Sequence, residues 1–338
     1  LRVTVPRAWK HEAGESKVAT LEATLGRKTM DKRQKMAIDA AKLYYLSDCS
    51  QSEIASVLGV SRPTVSKLLT YAKEEGFARV EIQDPRSESE QLSRLLTKRF
   101  GLKSAKVVWP KSGDPLAAVG EAGAELLQVM VHDGDSIGVT SGHTLYTVGK
   151  HLQNGDWSNV EIVQLKGGIG LSNFGESDWN TLAMFRDAFN AEMVLLPLPA
   201  VFKNAKAKVL VANEPEIARI IEKISQVDIA VFTVGVASEN SQLLEQGHYS
   251  QNDREWVLGR AIGHICSHWV DAQGRICCPE IDERTVGISL GGLKKIPRRV
   301  LVARGMEKVK IISTALNRGI VTDFVTDRLT AEAVLKFT

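Results

Sequence analysis

The chain has 338 residues, 43% hydrophobic and 25% charged, so two globular domains with a sizeable core are expected rather than one small fold. A net charge of +3 excludes a polycation, so any nucleic-acid contact must come from a local basic patch. No apolar run reaches ~18 residues, so no spanning helix, no membrane partner and a cytoplasmic location are expected. Residues 1–30 lack the apolar segment of a signal peptide. Cys49, Cys266, Cys277 and Cys278 make no C-x-x-C pair, so neither a metal nor a cofactor is expected. The adjacent Cys277 and Cys278 read as reduced thiols.

Residues 1–30 are basic and weakly periodic and read as a mobile tail, with Met30 a candidate natural start. A DNA-binding domain is expected over 31–85. Its first helix covers 31–47, where Met36, Ala37, Ala40, Ala41, Tyr44 and Tyr45 recur at helical spacing. A second covers 50–58, with Ser50 or Gln51 near its cap. A third covers 61–75, opened by Ser61 as N-cap, with Pro63 in its first turn and Gly76 at its end. FARVEIQ (77–83) alternates like a strand and predicts a wing. A linker helix is expected over 86–100.

From Gly101 to the C-terminus, short β-branched runs alternate with amphipathic helices. The runs are 105–109, 136–139, 160–165, 193–196, 229–234, 265–270, 286–288, 300–302 and 320–325; the helices include 117–130, 145–152, 214–224 and 308–316. That alternation predicts an α/β domain with a mostly parallel sheet covered on both faces.

QSEIASVLGVSRPTVSK (51–67) carries the clearest chemistry. A small Ala55 lets two helices approach, and Gly59 suits a tight turn between them. Ile54, Leu58, Val60, Val65 and Leu68 are spaced to close a three-helix core. Arg62, Thr64, Ser66, Lys67 and Thr70 are left on or near the outer face, with Gln51 and Ser61 at the two helix starts. In such a helix-turn-helix the third helix meets base edges in the major groove of double-stranded DNA. Arg62 can donate twice to guanine, and Lys67 can reach a phosphate. Lys28, Lys32, Arg33, Lys35, Lys42 and Lys73 make the surroundings basic. The ordinary alternative is a plain helical bundle.

Four segments of the second domain stand where strands should end. In GVTSGHT (138–144) a strand stops in a Ser/Gly/Thr loop that opens a helix, so Ser141, Gly142, His143 and Thr144 are phosphate candidates. In VQLKGGIG (163–170) Lys166 ends an apolar strand beside Gly167 and Gly168. Lys166 reads as a phosphate partner, an amine poised to attack a sugar aldehyde, or a surface lysine; burial among Val163, Leu165 and Ile169 would favour the neutral nucleophile. Gly235 follows the 229–234 run, where a glycine admits a ligand to the backbone. Lys308, at the start of a helix, is a second phosphate candidate. His264 and Asp271 flank the predicted 265–270 strand, and either can hydrogen-bond sugar hydroxyls or be merely structural.

QSEIASVLGVSRPTVSK (51–67), GxxSGHT (138–144), VQLKGG (163–168), RTVGISL (284–290) and GMEK (305–308), taken together and in order, resemble the SorC family of sugar-responsive regulators. The resemblance runs from about Met30 to the C-terminus. It implies a sensor domain similar to the ribose-phosphate isomerase and glucosamine-phosphate deaminase fold, homodimers or homotetramers on operator DNA, and a phosphorylated sugar as effector. It also implies effector contacts at 141–144, at Lys166 with Gly167 and Gly168, and at Lys308. Around Lys166 the chain is most similar to regulators of deoxyribonucleoside operons, which implies deoxyribose 5-phosphate and a Schiff base at that lysine. Two positions depart from the family pattern: His143, where a threonine is usual, and His264, where a carboxylate is more frequent. The leading expectation is a non-enzymatic, ligand-gated regulator. The alternatives are a sugar-phosphate isomerase or deaminase with a DNA-binding head, and a DNA-binding scaffold that has lost its ligand. No compact acidic pair stands beside the 141–144 or 166–170 loops, which disfavours the enzyme.

Overall fold

A computed structural model describes residues 30–79, 85–109, 114–168, 178–246 and 249–337. The chain divides into two compact units, 1–83 and 84–338. The tail read at 1–29 lies outside the described residues.

The first unit contains α1 (Lys32–Leu46), α2 (Gln51–Leu58) and α3 (Arg62–Glu74). Each begins at a side chain able to satisfy the free N–H groups of a helix start. Asp31 accepts from the Gln34 amide, and Ser50 and Glu53 cap each other's amides. Ser61 accepts from the Thr64 amide. The core is small: Ala37, Ala40, Ala41, Ile54, Val65, Leu68, Leu69 and Ala72, with Leu58 and Val60 only partly buried. The expected wing is not seen at its start. Residues 77–79 form no strand; Phe77 packs edge-on to Tyr71 and the Ala78 amide returns to the Ala72 carbonyl. Residues 80–83 lie outside the described residues.

The second unit opens with α4 (Pro85–Phe100), β1 (Ser104–Val108), α5 (Pro115–Met130), β2 (Ser136–Val139), α6 (His143–His151), β3 (Glu161–Gln164), α7 (Asp178–Ala188) and β4 (Glu192–Val194). It continues with α8 (Ala205–Ala212), α9 (Pro215–Ile224), β5 (Ile229–Phe232), β6 (Val234–Val236), α10 (Gln242–Gln246), α11 (Gln251–Arg260), β7 (Gly263–Ile265) and β8 (His268–Val270). It closes with α12 (Pro279–Asp282), α13 (Leu290–Leu293), β9 (Arg298–Val302), a 3₁₀ turn at Met306–Lys308, α14 (Val309–Asn317), β10 (Asp323–Asp327) and α15 (Arg328–Lys336). The helix expected as a linker is α4, and it belongs to this unit. Leu92 and Leu96, one turn apart, pack into the main core, and the Ser93 hydroxyl accepts from the Val107 amide of β1.

Seven strands form a wholly parallel sheet in the order β1-β10-β9-β5-β2-β3-β4. Its strands read as unbroken apolar runs because both faces are covered. Ile229 and Val231 enter one core cluster, and Ala230 and Phe232 the other. Chain direction across the sheet reverses between β2 and β5: β3 and β4 lie to one side, β9 and β10 to the other. In open α/β sheets that switch point opens a crevice at the carboxyl ends of the strands. Asp323, fully buried, anchors the far side: Arg298 grips both its oxygens at 3.0 and 2.7 Å, and Ser104 and Thr322 donate to it. No helix among the described residues is long and apolar enough to cross a membrane.

A small antiparallel sheet, β6-β7-β8, follows β5. The strand expected over 265–270 is a hairpin instead. Cys266 and Ser267 both take left-handed backbone, φ 48° and 71°, and reverse the chain in two residues. The 286–288 run is not a full strand either: Gly287 bridges Lys166, and Thr285 bridges Val201.

Helices α5 and α6 touch through Gly120. A Cβ there would meet the Thr147 backbone at 3.0 Å and its methyl at 2.6 Å. Gly120→Ala is therefore expected to destabilise the chain by about 1–3 kcal/mol through overpacking, outweighing the ~1 kcal/mol of helix propensity that alanine adds. Urea unfolding of the variant checks this; a midpoint at or above the parent's would mean the helices part without strain.

Candidate functional site

In the first unit, α2 ends at Gly59, left-handed at φ 62° and ψ 36°, and α3 starts three residues later. Amphipathic spacing turns Val65, Leu68 and Leu69 inward and leaves Arg62, Ser66, Lys67 and Thr70 exposed; Gln51 and Thr64 are half-buried. Ser61 and Thr64 share a hydroxyl–hydroxyl bond of 2.8 Å, and Thr70 donates back to the Ser66 carbonyl. Among the described residues, Arg62, Ser66 and Lys67 stand exposed on this face with no side-chain partner. Hydrogen bonds from the Ser50 backbone, then its hydroxyl, hold the Glu53 carboxyl below its usual range. Arg33 stacks over the Tyr71 ring at 4.3 Å and Lys73 lies over Tyr45. Lys32, Lys35 and Lys42 are exposed, and Lys28 is outside the described residues.

In the second unit, β3 runs out into Lys166, which is only 5% exposed. Its amine makes no hydrogen bond among the described residues, and its ion-pair partner, Asp178 at the start of α7, stands 3.7 Å away. A small cleft is lined by Val139, Thr140, Ser141, Gln164, Lys166, Asp178 and Leu182. The Gln164 carbonyl is already engaged by the Leu196 amide. Gly167 and Gly168 differ in kind. A Cβ on Gly167 would lie 2.3 Å from the Pro199 oxygen, so this glycine permits close chain approach. Beside Gly168 the nearest atom to such a Cβ is an Asp178 oxygen at 3.8 Å, and there is room.

The turn after β2 is equally tight. Gly142 takes φ 128° before α6; Thr144 is buried, Ser141 half-buried and His143 exposed. Thr140, after β2, and Thr233, after β5, flank the switch point, and both hydroxyls are enclosed without partners among the described residues. Neither was singled out in the sequence, because only the sheet order makes them neighbours. Asp178 was missed for a similar reason: twelve positions separate it from Lys166, and no local motif announces it.

Gly235 and His264 meet directly. A Cβ on Gly235 would collide with His264 Nε2 at 2.1 Å, so in this structure the space above the glycine holds the imidazole. The ring packs edge-on to Trp269, and its Nδ1 is enclosed without a partner among the described residues. Burial, then the charges of Lys166, Lys308 and His268, push its pKa from 6.5 down to about 3. A neutral ring thus sits in the field of cations, the electrostatic setting of an anion site. Burial also works against the Lys308 charge, which Glu307 supports and Arg304 opposes. Lys308, Gly235, His264 and the residues of 142–144 are not on the cleft's lining; of the 141–144 loop, Ser141 alone lines it with Lys166 among the described residues. Asp271 is engaged by Arg275 and by the Gln273 amide in its own turn. No cluster of metal-ligating side chains occurs among the described residues.

The buried ring has a consequence for stability. Unfolded, His264 takes up a proton as pH falls through 6.5; folded, it does so only near 3. The unfolded state therefore binds more protons between those values, and stability falls as pH drops, by up to about 1.4 kcal/mol per pH unit. His264→Phe is expected to lose less stability than the parent between about pH 7 and pH 5, measured by urea unfolding at both. Parallel losses would place the acid sensitivity elsewhere.

A family model described as "Putative sugar-binding domain" matches residues 84–336, the span of the second unit. The deoxyribonucleoside regulator of Bacillus subtilis (strain 168) is 39% identical over 306 residues, 90% of this chain and 98% of that protein. The sorbitol operon regulator of Klebsiella pneumoniae is 28% identical over 309 residues, 89% of this chain and 98% of that protein. The crystal structure of the full-length sorbitol operon regulator SorC from Klebsiella pneumoniae aligns with a TM-score of 0.69 and 26% identity, over 91% of this chain and 100% of that one. With three quarters of its length matched by the domain model, and these regulators similar to it along nearly the whole chain, the protein belongs to the SorC family of sugar-binding transcriptional regulators.

Proposed function

We propose that the chain binds operator DNA through α2 and α3 as a helix-turn-helix, and that a phosphorylated sugar held at Lys166 sets that binding. The observation that carries the reading is the Lys166 amine: buried, without a hydrogen bond among the described residues, 3.7 Å from one carboxylate, and just past the carboxyl end of β3, the strand next to β2 at the sheet's switch point. Such a group is completed by an incoming oxygen or carbonyl. The α6 start with Ser141, Gly142, His143 and Thr144 takes the phosphate. Lys166 takes the sugar's other end, as an ion-pair partner or, with deoxyribose 5-phosphate, as a Schiff base. Gly168 leaves space for the ligand, Gly167 fixes the turn, and Lys308, His264 and Gly235 form the second bank. The relative named deoxyribonucleoside regulator supports this sugar. We read the second unit as similar to the ribose-phosphate isomerase and glucosamine-phosphate deaminase fold, used as a cytoplasmic sensor without a cofactor. A homodimer or homotetramer spaces two recognition helices about one DNA turn, or a multiple, apart. The sugar shifts DNA binding only by its differential affinity for the two subunit arrangements.

Arg62→Ala is expected to weaken operator binding by roughly 1–3 kcal/mol, about 5- to 150-fold, and leave sugar binding intact. Fluorescence anisotropy on the protein's own upstream DNA measures it; equal affinity would remove Arg62 from the interface. Lys166→Ala should bind the same DNA but no longer respond to deoxyribose 5-phosphate. Borohydride reduction of the parent with that sugar, followed by peptide mass mapping, should mark Lys166; recovery of only unmodified Lys166 would rule out the imine.

A further inference from the structure

His268, on β8, is outside the cleft and outside every motif, yet both of its ring nitrogens are engaged. Nδ1 lies 2.5 Å from Asp282 Oδ1, and Nε2 lies 2.9 Å from the Ile288 carbonyl. A carboxylate oxygen and a carbonyl oxygen thus hold the ring from two sides. Ile288 is in turn bound to the lysine turn. Its amide donates to the Leu165 carbonyl at 2.8 Å, and the Gly167 amide donates to Val286 at 3.1 Å. Between them Gly287, at φ 132°, lies so close that a Cβ would stand 2.6 Å from the Lys166 Cα. The lysine backbone is thus pressed against a segment whose far side is held by one imidazole.

We propose that His268 is a positioning residue of the effector site: clamped between Asp282 and the Ile288 carbonyl, it holds 286–288 against the Lys166 backbone and so sets where the amine stands. The inference rests on reading the Lys166 cleft as the effector site. Several charges bear on the clamp. Asp282 comes from α12, and its carboxylate is felt by Lys208 of α8, as is that of Glu283. On the pocket side stands His264, with Lys166 and Lys308 around it. Cys266, on the same hairpin, has its thiol pushed up to about 12 by burial and stays silent near neutrality. The imidazole therefore joins the lysine turn to α12 through hydrogen bonds, and α8 bears on the clamp only through the charge of Lys208.

The test uses the full chain. In His268→Gln one amide group replaces two ring nitrogens. Hydrogen exchange at the Gly167 and Ile288 amides is expected to quicken roughly tenfold, with the β2 and β5 amides unchanged. Asp282→Asn keeps an acceptor and removes the charge. Titration with deoxyribose 5-phosphate at neutral pH should give an affinity about tenfold weaker than the parent's, with operator affinity unchanged. A general loss of structure would weaken operator binding as well. Unchanged exchange in His268→Gln, or equal sugar affinity in Asp282→Asn and the parent, overturns the proposal. Should His268→Gln fail to fold, the Asp282→Asn titration decides. Should the parent not bind this sugar, the sugar assignment falls, and Asp282→Asn is compared with the parent by exchange at the two amides instead.

Discussion

A lysine amine enclosed by protein and given no hydrogen bond among the described residues is the group around which the second unit is arranged. Removing such a charge from water costs several kcal/mol unless partners replace the lost solvent. Here the partner is one carboxylate at 3.7 Å, too far to donate to. The backbone around Lys166 has little freedom to relieve the cost. Gly167 is jammed against Pro199 and Gly287 against Lys166 itself, both at distances that a methyl group would not allow. The nearby imidazole stays neutral and does not add to the repulsion. An exposed lysine would bind any passing anion weakly; an enclosed one keeps its interaction strength for a ligand that fits.

How far the sequence reveals this depends on how local each signal is. The caps at Ser50 and Ser61 and the turn at Gly59 are written in neighbouring residues and stand as expected. The strand at 136–139 is equally legible, because an apolar run beside a Ser/Gly/Thr loop admits little else. The hairpin at Cys266–Ser267 is not, since left-handed turns usually announce themselves with Asn or Gly. Nor is the half-strand at 286–288, whose pairing is settled by the lysine turn and by Ala200 rather than by its own composition. Lys166 stands out as a charge at the end of an apolar strand. Thr140, Thr233 and Asp178 do not, because their importance arises only when distant strands lie side by side. Gly235 shows the converse: its smallness is legible, but not that a histidine ring occupies the space.

The two units are stabilised differently. The first has a core rich in alanine and leans on its caps, each contributing about 1 kcal/mol. Its aromatic rings carry cations on their faces, Arg33 on Tyr71 and Lys73 on Tyr45, so part of the basic surface also serves as packing. The second has a deep two-sided core that tolerates orphaned polar atoms, among them Thr140 and Thr233 past the ends of the central strands and Thr326 on β10. The Asp323 carboxylate, by contrast, has both oxygens bonded.

The pairing of β1 with β10 reaches beyond the folded state. Ser104 and Asp323, bonded across that edge, are 219 residues apart in the chain. A ribosome adding about 5–20 residues per second needs tens of seconds to supply the partner strand. Through that interval β1, whose one neighbour in the sheet is β10, stands with both edges open, a surface prone to wrong pairing. Maturation of this regulator is therefore paced by translation of its last strands, and a nascent chain stalled before them can neither complete its sheet nor give Ser104 its partner.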